Sequence, residues 1–223
     1  PADIDPNLEG DDLSSSESFE RVVLGYHYSP SETFDNHLRL AYGHSREDDA
    51  LGQQLAVDIT THRLDLRDTA RHELAPGFAL SYGLDAALVF FDAYVSAPVL
   101  PKEGEPEEFD LSELVTTRQT ARRLSPALFA ELELAPFAGL QLFPGLRADY
   151  FGGVRAWSIQ PRINARLLVS DSFAAKAGFG WFTQEPSDDE LNPDVGNPSL
   201  DAETAIHASV GAEYHPWPRA TVD

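Results

Sequence analysis

The seven histidines are the side chains best suited to do chemistry, because an imidazole can bind a metal ion or act as a general base. They stand at positions 27, 37, 44, 62, 72, 207 and 215, and none belongs to a His-Glu-x-x-His motif. His27 and His37 are spaced so that they could face each other across one hairpin. Side chains on a solvated polar surface explain this pair more simply than a metal site does, so we expect no metal ligands.

Two glutamates have the spacing of a catalytic pair. Glu131 and Glu133 lie two residues apart, which in a strand places both carboxylates on one face. A carboxylate pair can carry out general acid–base catalysis. Charges on a polar face, balanced by Arg147 or by Arg122 and Arg123, are the simpler explanation. We therefore predict that neither glutamate is catalytic.

Two other segments have the composition of a site without its arrangement. The serines at 14–16 could supply a nucleophile, but no strand-turn-helix pattern surrounds them. The carboxylates between 185 and 190 could attract Ca²⁺, but the segment lacks the glycine-spaced loop of an EF-hand. The sequence thus predicts no catalytic residue, no enzyme activity, no metal and no cofactor.

Composition excludes several classes of protein. The chain has 223 residues and no cysteine, so it has neither a disulfide framework nor a thiolate metal site. Its net charge of −21 means that acidic side chains far outnumber the lysines and arginines that could neutralise phosphates, which argues against nucleic acid as a partner. Apolar runs such as 86–91 are far shorter than the roughly 18 residues of a membrane helix. The chain is therefore either soluble or a membrane protein that crosses as strands apolar on one face.

Two-residue alternation runs along most of the chain and predicts β-strands. Between 78 and 94 nearly every second residue is large and apolar, whereas the first intervening residues are small or polar. A strand places these two classes on opposite faces. The same split recurs around 21–28, 37–43, 63–67, 128–134, 159–169, 173–181 and 206–214. The polar face then carries Arg39, Arg63, Arg67, Asp85, Glu131, Glu133, Arg147, Asp149, Arg162, Arg166, Lys176, His207 and Glu213.

The connections alternate between short and long. Short ones are predicted at 29–35, 75–77, 136–139, 170–172 and 215–219; long, acidic ones are predicted at about 45–58, 95–125 and 183–203, after an acidic segment at 1–17. Outer-membrane barrels have this asymmetry, with tight periplasmic turns and long outside loops. We expect an all-β, antiparallel, up-and-down transmembrane barrel, of which residues 1–223 supply one partial domain of about nine or ten strands. The first and last residues of the chain suggest a piece of a longer protein.

Four blocks carry a family resemblance: Leu140–Phe151, 160–166, 173–182 and 196–203. In this order and spacing they resemble the motifs L-x-L-x-P-G-L-R-x-D-Y-F, x-P-R-L-x-x-R, x-L-R-A-G-Y-G-x-F and G-N-P-D-L-x-P-E of TonB-dependent outer-membrane receptors. The matching residues, for which we expect structural roles, are Pro144, Gly145, Arg147, Asp149, Tyr150, Pro161, Arg162, Gly196, Asn197, Pro198 and Glu203. Ala202 departs from the family, which often has proline there, and residues 1–125 match only in pattern.

The resemblance implies a barrel of about 22 strands around a plug, of which this chain would be most of the C-terminal half without the final strands. It implies a Gram-negative outer-membrane receptor that takes up a ferric siderophore, cobalamin or an oligosaccharide with energy delivered through TonB. The implied partners are outer-membrane lipid, TonB, a plug domain and a small-molecule ligand. We expect ligand contacts in the long loops at 45–58, 95–125 and 183–203. Alternatives are an outer-membrane barrel for structure, adhesion or surface assembly without transport, and a soluble all-β binding module.

Overall fold

The chain folds as one antiparallel sheet. The computed structural model describes residues 13–51, 55–98, 114–187, 190–191, 197–217 and 220–222. Ten strands lie among these residues: β1 Leu13–Ser31, β2 Phe34–Leu51, β3 Leu55–Ala75, β4 Phe78–Pro98, β5 Leu114–Phe137, β6 Leu140–Phe151, β7 Ala156–Ser170, β8 Phe173–Gln184, β9 Glu203–Trp217 and β10 Ala220–Val222. Each strand pairs with the next along the chain. The predicted all-β, up-and-down fold is confirmed.

No membrane-spanning helix is found in the described ranges.

The cross-strand register keeps the two predicted classes of side chain apart. On β7 to β9, Ala165 lies opposite Ala177, which lies opposite Val210. On the other face of the same strands, Arg166 lies opposite Lys176. Directly opposed residues of an antiparallel pair share a face, so apolar residues meet apolar residues across the strands. The faces of these strands are therefore those that the alternation predicts.

The described part of the chain lacks the core of a soluble domain. Its buried apolar residues are all alanines, at positions 41, 70, 79, 93, 127 and 174. Large apolar side chains stand exposed along the strands, among them Leu128 at 60%, Ile206 at 63% and Val210 at 91% exposure. A contiguous exposed apolar surface marks contact with lipid or with another molecule. Strands that are apolar on one face only are the pattern of a lipid-facing barrel wall.

Among the described residues, four two-residue turns close hairpins, at 32–33, 76–77, 138–139 and 171–172. In each turn the second residue's carbonyl accepts a hydrogen bond from a backbone N–H of the following odd-numbered strand. The pairs are Thr33 with Glu73, Gly77 with Ala135, Gly139 with Leu168 and Ser172 with His215, at 2.7–2.8 Å. Gly77 and Gly139 have φ angles of 74° and 90°, a region that favours glycine. The turns therefore also tie each hairpin to the next one.

Several strands run farther than the alternation predicts. The sequence predicts loops over 45–58 and 95–125, whereas β2 continues to Leu51, β3 begins at Leu55 and β5 begins at Leu114. Charged residues on both faces of these extensions hide the alternation, although backbone pairing continues there. β1 likewise begins at Leu13, inside the predicted acidic segment 1–17. The remaining parts of these segments, including 1–12, 52–54 and 99–113, lie outside the described residues.

The chain divides into two compact units. One contains Pro1–Val23, Ala41–Leu64 and Leu88–Arg123; the other contains Leu24–Leu40, Asp65–Ala87 and Leu124–Asp223. In the first unit, Arg46 pairs with Asp48 at 2.8 Å and with Asp58 at 3.1 Å. The second unit, which we call the turn unit, contains the four tight turns and the polar network described next.

Candidate functional site

The polar face of the turn unit carries a cross-strand network of ion pairs, which we call the ion-pair face. Its pairs are Arg67–Asp85 at 3.6 Å, Arg71–Glu133 at 2.7 Å, Arg147–Asp85 at 2.7 Å, Arg147–Asp149 at 2.8 Å, Arg162–Glu131 at 3.1 Å, Arg166–Glu213 at 3.2 Å, Lys176–Glu213 at 3.0 Å and His215–Glu213 at 2.6 Å. The acidic side chains are 14–29% exposed. Charges withdrawn from water to this extent need partners, and the strands supply them. The predicted polar face is therefore balanced in charge where these pairs form.

Arg147 on β6 is the centre of this face. Its Nε donates to both carboxylate oxygens of Asp149, at 3.0 and 2.9 Å, and its Nη1 donates to Asp85 on β4 at 2.7 Å. Gln160 lies directly opposite Arg147 on β7, and its amide donates to Asp149 at 2.8 Å. The guanidinium thus links side chains of β4 and β6, and Asp149 extends the network to Gln160 on β7. Forked Arg–carboxylate bonds are among the strongest of their kind.

Gly145 leaves room for a second bridge. It lies opposite Glu131 on β5 and opposite Arg162 on β7. The Arg162–Glu131 pair crosses over it, and a Cβ on Gly145 would stand 3.2 Å from Arg162 Nε and 3.3 Å from Glu131 Oε2. The absence of a side chain at this position therefore allows a charge pair to span three strands.

The comparisons with known proteins decide the family. A family model described as "TonB dependent receptor-like, beta-barrel" matches residues 2–223. The chain belongs to this receptor family. Its members are outer-membrane β-barrels, so the predicted fold class and family are both confirmed. A comparison with curated protein sequences finds no match.

Solved structures share the receptor fold. Copper transporter OprC is 18% identical with a TM-score of 0.69, over 92% of this chain and 37% of its own. FpvA of P. aeruginosa, in a complex with pyoverdine and iron, is 12% identical with a TM-score of 0.67, over 89% of this chain and 31% of its own. The ferric-catecholate import receptor Fiu of E. coli K12 is 7% identical with a TM-score of 0.65, over 92% and 39%. This chain thus spans about a third of each receptor, and identities this low show the fold alone.

The family-signature residues of this receptor barrel lie on β6 to β9 and in the segment that leads into β9. Pro144 stands opposite Ile163, Pro161 opposite Leu146, and Glu203 opposite Gln184. The rings of Tyr150 and Trp157 lie 5.3 Å apart on the apolar face. The side chain of Asn197 accepts a hydrogen bond from the N–H of Ser199 at 3.0 Å across the turn at Pro198. Gly196 lies outside the described residues, and the structural roles of the whole set stay a prediction.

The predicted partners of two glutamates are wrong. The sequence predicts Arg147, or Arg122 and Arg123, but Glu131 pairs with Arg162 at 3.1 Å and Glu133 pairs with Arg71 at 2.7 Å. The charges are balanced as expected, although by different residues. Two strands must be placed side by side before their facing residues are known, and the register between them is not encoded in the spacing along one strand.

Filling the space at Gly145 should disrupt the bridge above it. We expect Gly145→Val to lower the free energy of unfolding by about 1–2 kcal/mol, because the new methyl groups must displace Arg162 or Glu131. Urea titration of the refolded receptor in lipid vesicles measures this difference. Gly211→Val is the matched control, since a Cβ on Gly211 meets nothing within 4 Å. Equal effects of the two substitutions would show that the bridge does not need the glycine.

The sequence indicates only two of the three side chains of a cluster in the turn unit. His27 and His37 do face each other, with ring centroids 4.3 Å apart and planes 4° from parallel. Asp35 joins them: its Oδ2 lies 2.5 Å from His27 Nε2 and its Oδ1 lies 2.7 Å from His37 Nε2. Asp35 falls in the predicted connection 29–35, where an aspartate is ordinary turn chemistry and gives no signal of its own. These are donors that could hold a metal ion, although the sequence predicts no metal ligands.

Proposed function

We propose that the protein containing this chain is an outer-membrane receptor that takes up a scarce nutrient by TonB-dependent transport. The observation that carries the proposal is the ion-pair face on a barrel wall of this family. A wide lumen needs a polar lining whose charges satisfy one another when the ligand is absent. Pairs that span several strands, such as Arg147 with Asp85 and Arg162 with Glu131, supply such a lining.

The substrate class is proposed from the same family. FpvA was solved in a complex with a pyoverdine and iron, Fiu is named as a ferric-catecholate import receptor, and OprC is named as a copper transporter. We place a ferric siderophore first, with cobalamin or an oligosaccharide as the other candidates. TonB and a plug domain are the proposed partners, and the ligand is proposed to be a small molecule met first by the long connections between strands.

Uptake measurements on the whole receptor test this function. The gene is deleted, and cells are supplied with radio-iron siderophores, cobalamin or fluorescent oligosaccharides, each with and without functional TonB. We expect uptake of one compound to need both the receptor and TonB. If cells without the receptor take up every compound as well as cells with it, transport is rejected and a structural or adhesive barrel is favoured.

The connection between β4 and β5 is one of the long connections proposed to meet the ligand. Replacing residues 99–113 by a short Gly-Ser linker leaves both strands in place and should reduce uptake at least about tenfold, the equivalent of one or two lost contacts. Uptake of the compound identified above is measured in cells with equal amounts of receptor in the outer membrane.

Substituting the tight turn at 171–172 by Asn-Gly is the control for that change, because it alters a connection at the other end of a hairpin. Uptake should then be unchanged. A receptor that transports normally without 99–113 would remove this segment from the ligand path.

A further inference from the structure

Two imidazoles and one carboxylate meet beside the turn between β1 and β2. Both oxygens of Asp35 are engaged, one by Nε2 of His27 at 2.5 Å and the other by Nε2 of His37 at 2.7 Å. The two rings are stacked almost in parallel, and both Nε2 atoms face the carboxylate of Asp35. The three side chains are directed at one small volume.

The negative charge of Asp35 beside two imidazole nitrogens favours a bound cation. Two protonated imidazoles stacked 4.3 Å apart would repel each other, whereas Asp35 attracts positive charge. A divalent metal ion avoids this repulsion, because each neutral imidazole binds it through a nitrogen lone pair and the carboxylate of Asp35 offsets part of its charge. A metal ion would use all three donors at once.

The donor atoms are close enough for a metal ion. One ligand atom from each residue can be chosen so that all three lie within 4.8 Å of one another. Tetrahedral Zn²⁺ with bonds of about 2.0–2.1 Å needs donors about 3.3 Å apart. The side chains of His27, Asp35 and His37 are 55%, 39% and 62% exposed. They can therefore rotate to bring their donor atoms to the distances that the ion needs without repacking their neighbours. We propose that His27, Asp35 and His37 bind a divalent first-row transition-metal ion such as Zn²⁺ or Cu²⁺.

The hairpin holds these residues in place independently of the ion. The side-chain amide of Asn36 donates to Asp68 at 2.7 Å and to the carbonyl of Thr69 at 3.3 Å, which ties β2 to β3. On the first strand, Ser29 Oγ donates to the carbonyl of Phe34 at 3.3 Å. Bonds outside the cluster thus order the backbone that carries the three donors before an ion binds.

The donor set selects the class of ion. Imidazole nitrogens suit Zn²⁺, Cu²⁺, Ni²⁺ and Fe²⁺, whereas Ca²⁺ and Mg²⁺ require mostly oxygen ligands. Three protein donors leave at least one coordination position for water or for a donor atom of another molecule, as in open zinc sites. The site therefore suits an ion that exchanges rather than one locked in to stabilise the fold.

Metal titration of the whole receptor tests the site. The protein is purified in detergent, stripped with a chelator and titrated with Zn²⁺ by calorimetry, and separately with Cu²⁺ by electron paramagnetic resonance. We expect the unaltered receptor to bind one equivalent more Zn²⁺ than the His27→Gln/His37→Gln variant. The Cu²⁺ spectrum should show coupling to two nitrogens that this variant loses. Asp35→Asn should weaken binding at this site at least about tenfold.

His44→Gln/His62→Gln is the matched control. These two rings also lie close together, at 4.7 Å, but the described carboxylate nearest to them, Glu20, pairs with His44 alone, at 3.9 Å. It should keep the full stoichiometry and the Cu²⁺ signal. Equal stoichiometry and affinity in the unaltered receptor and the His27→Gln/His37→Gln variant would overturn the proposal, and so would a loss that follows His44 and His62 instead. Heat-modified mobility on gels checks that each variant barrel is folded, and Asp35→Asn gives a second test if the double variant does not fold.

Discussion

Replacing Val210 with arginine should lower the free energy of unfolding of the receptor by about 2–4 kcal/mol in a bilayer. Val210 is the central residue of β9, on its apolar face, and is 91% exposed in this sheet. Ala177 stands directly opposite it and is too small to cover a guanidinium. A charge at this height would lie in hydrocarbon, where solvation is costly. Urea titration of the receptor in lipid vesicles, followed by tryptophan fluorescence, measures the difference.

Ser209→Arg is the control for the same strand and the same added side chain. Ser209 lies on the polar face, opposite Gly178, so the arginine would point to the lumen rather than to lipid. We expect its effect to stay below about 1 kcal/mol, in line with substitutions at solvated positions. A receptor that tolerates arginine equally well at 209 and 210 would contradict the assignment of the two faces.

The faces of the sheet could be predicted because alternation is a local property. Between 78 and 94 the alternation of residue types separates the apolar side chains of one face from the small and polar side chains of the other, and β4 forms there. The polar extensions defeat the same reasoning. The run at 46–49 has the composition of a loop, yet β2 continues through it, with Arg46 bonded to Asp48 and Asp58. Where both faces are solvated, pairing of the backbone persists without any pattern in the side chains.

The contacts of the ion-pair face, and those among His27, Asp35 and His37, depend on the register between strands, which the sequence alone predicts poorly. Arg71 and Glu133 are 62 positions apart and meet across β4, through three hydrogen bonds of 2.7–3.1 Å. No spacing rule links such positions, because the stagger of successive strands decides which residues face each other. The spacing of His27 and His37 allows them to face each other, because a single short connection separates them. Asp35 completes their cluster only once the turn itself is placed.

Removing the guanidinium at the centre of the ion-pair face should be the most damaging change to the polar wall. We expect Arg147→Met to lower the free energy of unfolding by about 2 kcal/mol. Breaking a fully buried pair costs about 3–5 kcal/mol, and lumenal water reduces this cost here. Asp85 and Asp149 would keep their charges with only 21% and 14% exposure. The same vesicle titration measures the change.

Two further variants separate lost pairing from lost packing. Arg46→Met removes an arginine that is 51% exposed and whose partners are also well exposed, so its effect should stay below about 1 kcal/mol. Without Arg147, Asp85 keeps only the longer pair with Arg67 at 3.6 Å, and Asp149 keeps the hydrogen bond from Gln160 at 2.8 Å. Combining Arg147→Met with Asp85→Asn and Asp149→Asn removes these two poorly compensated charges and should restore most of the stability, because an uncharged polar cluster does not carry their desolvation penalty. If the triple variant is as unstable as Arg147→Met alone, the arginine contributes by filling space between β4 and β7, and the balance of charge along this wall is not what holds it.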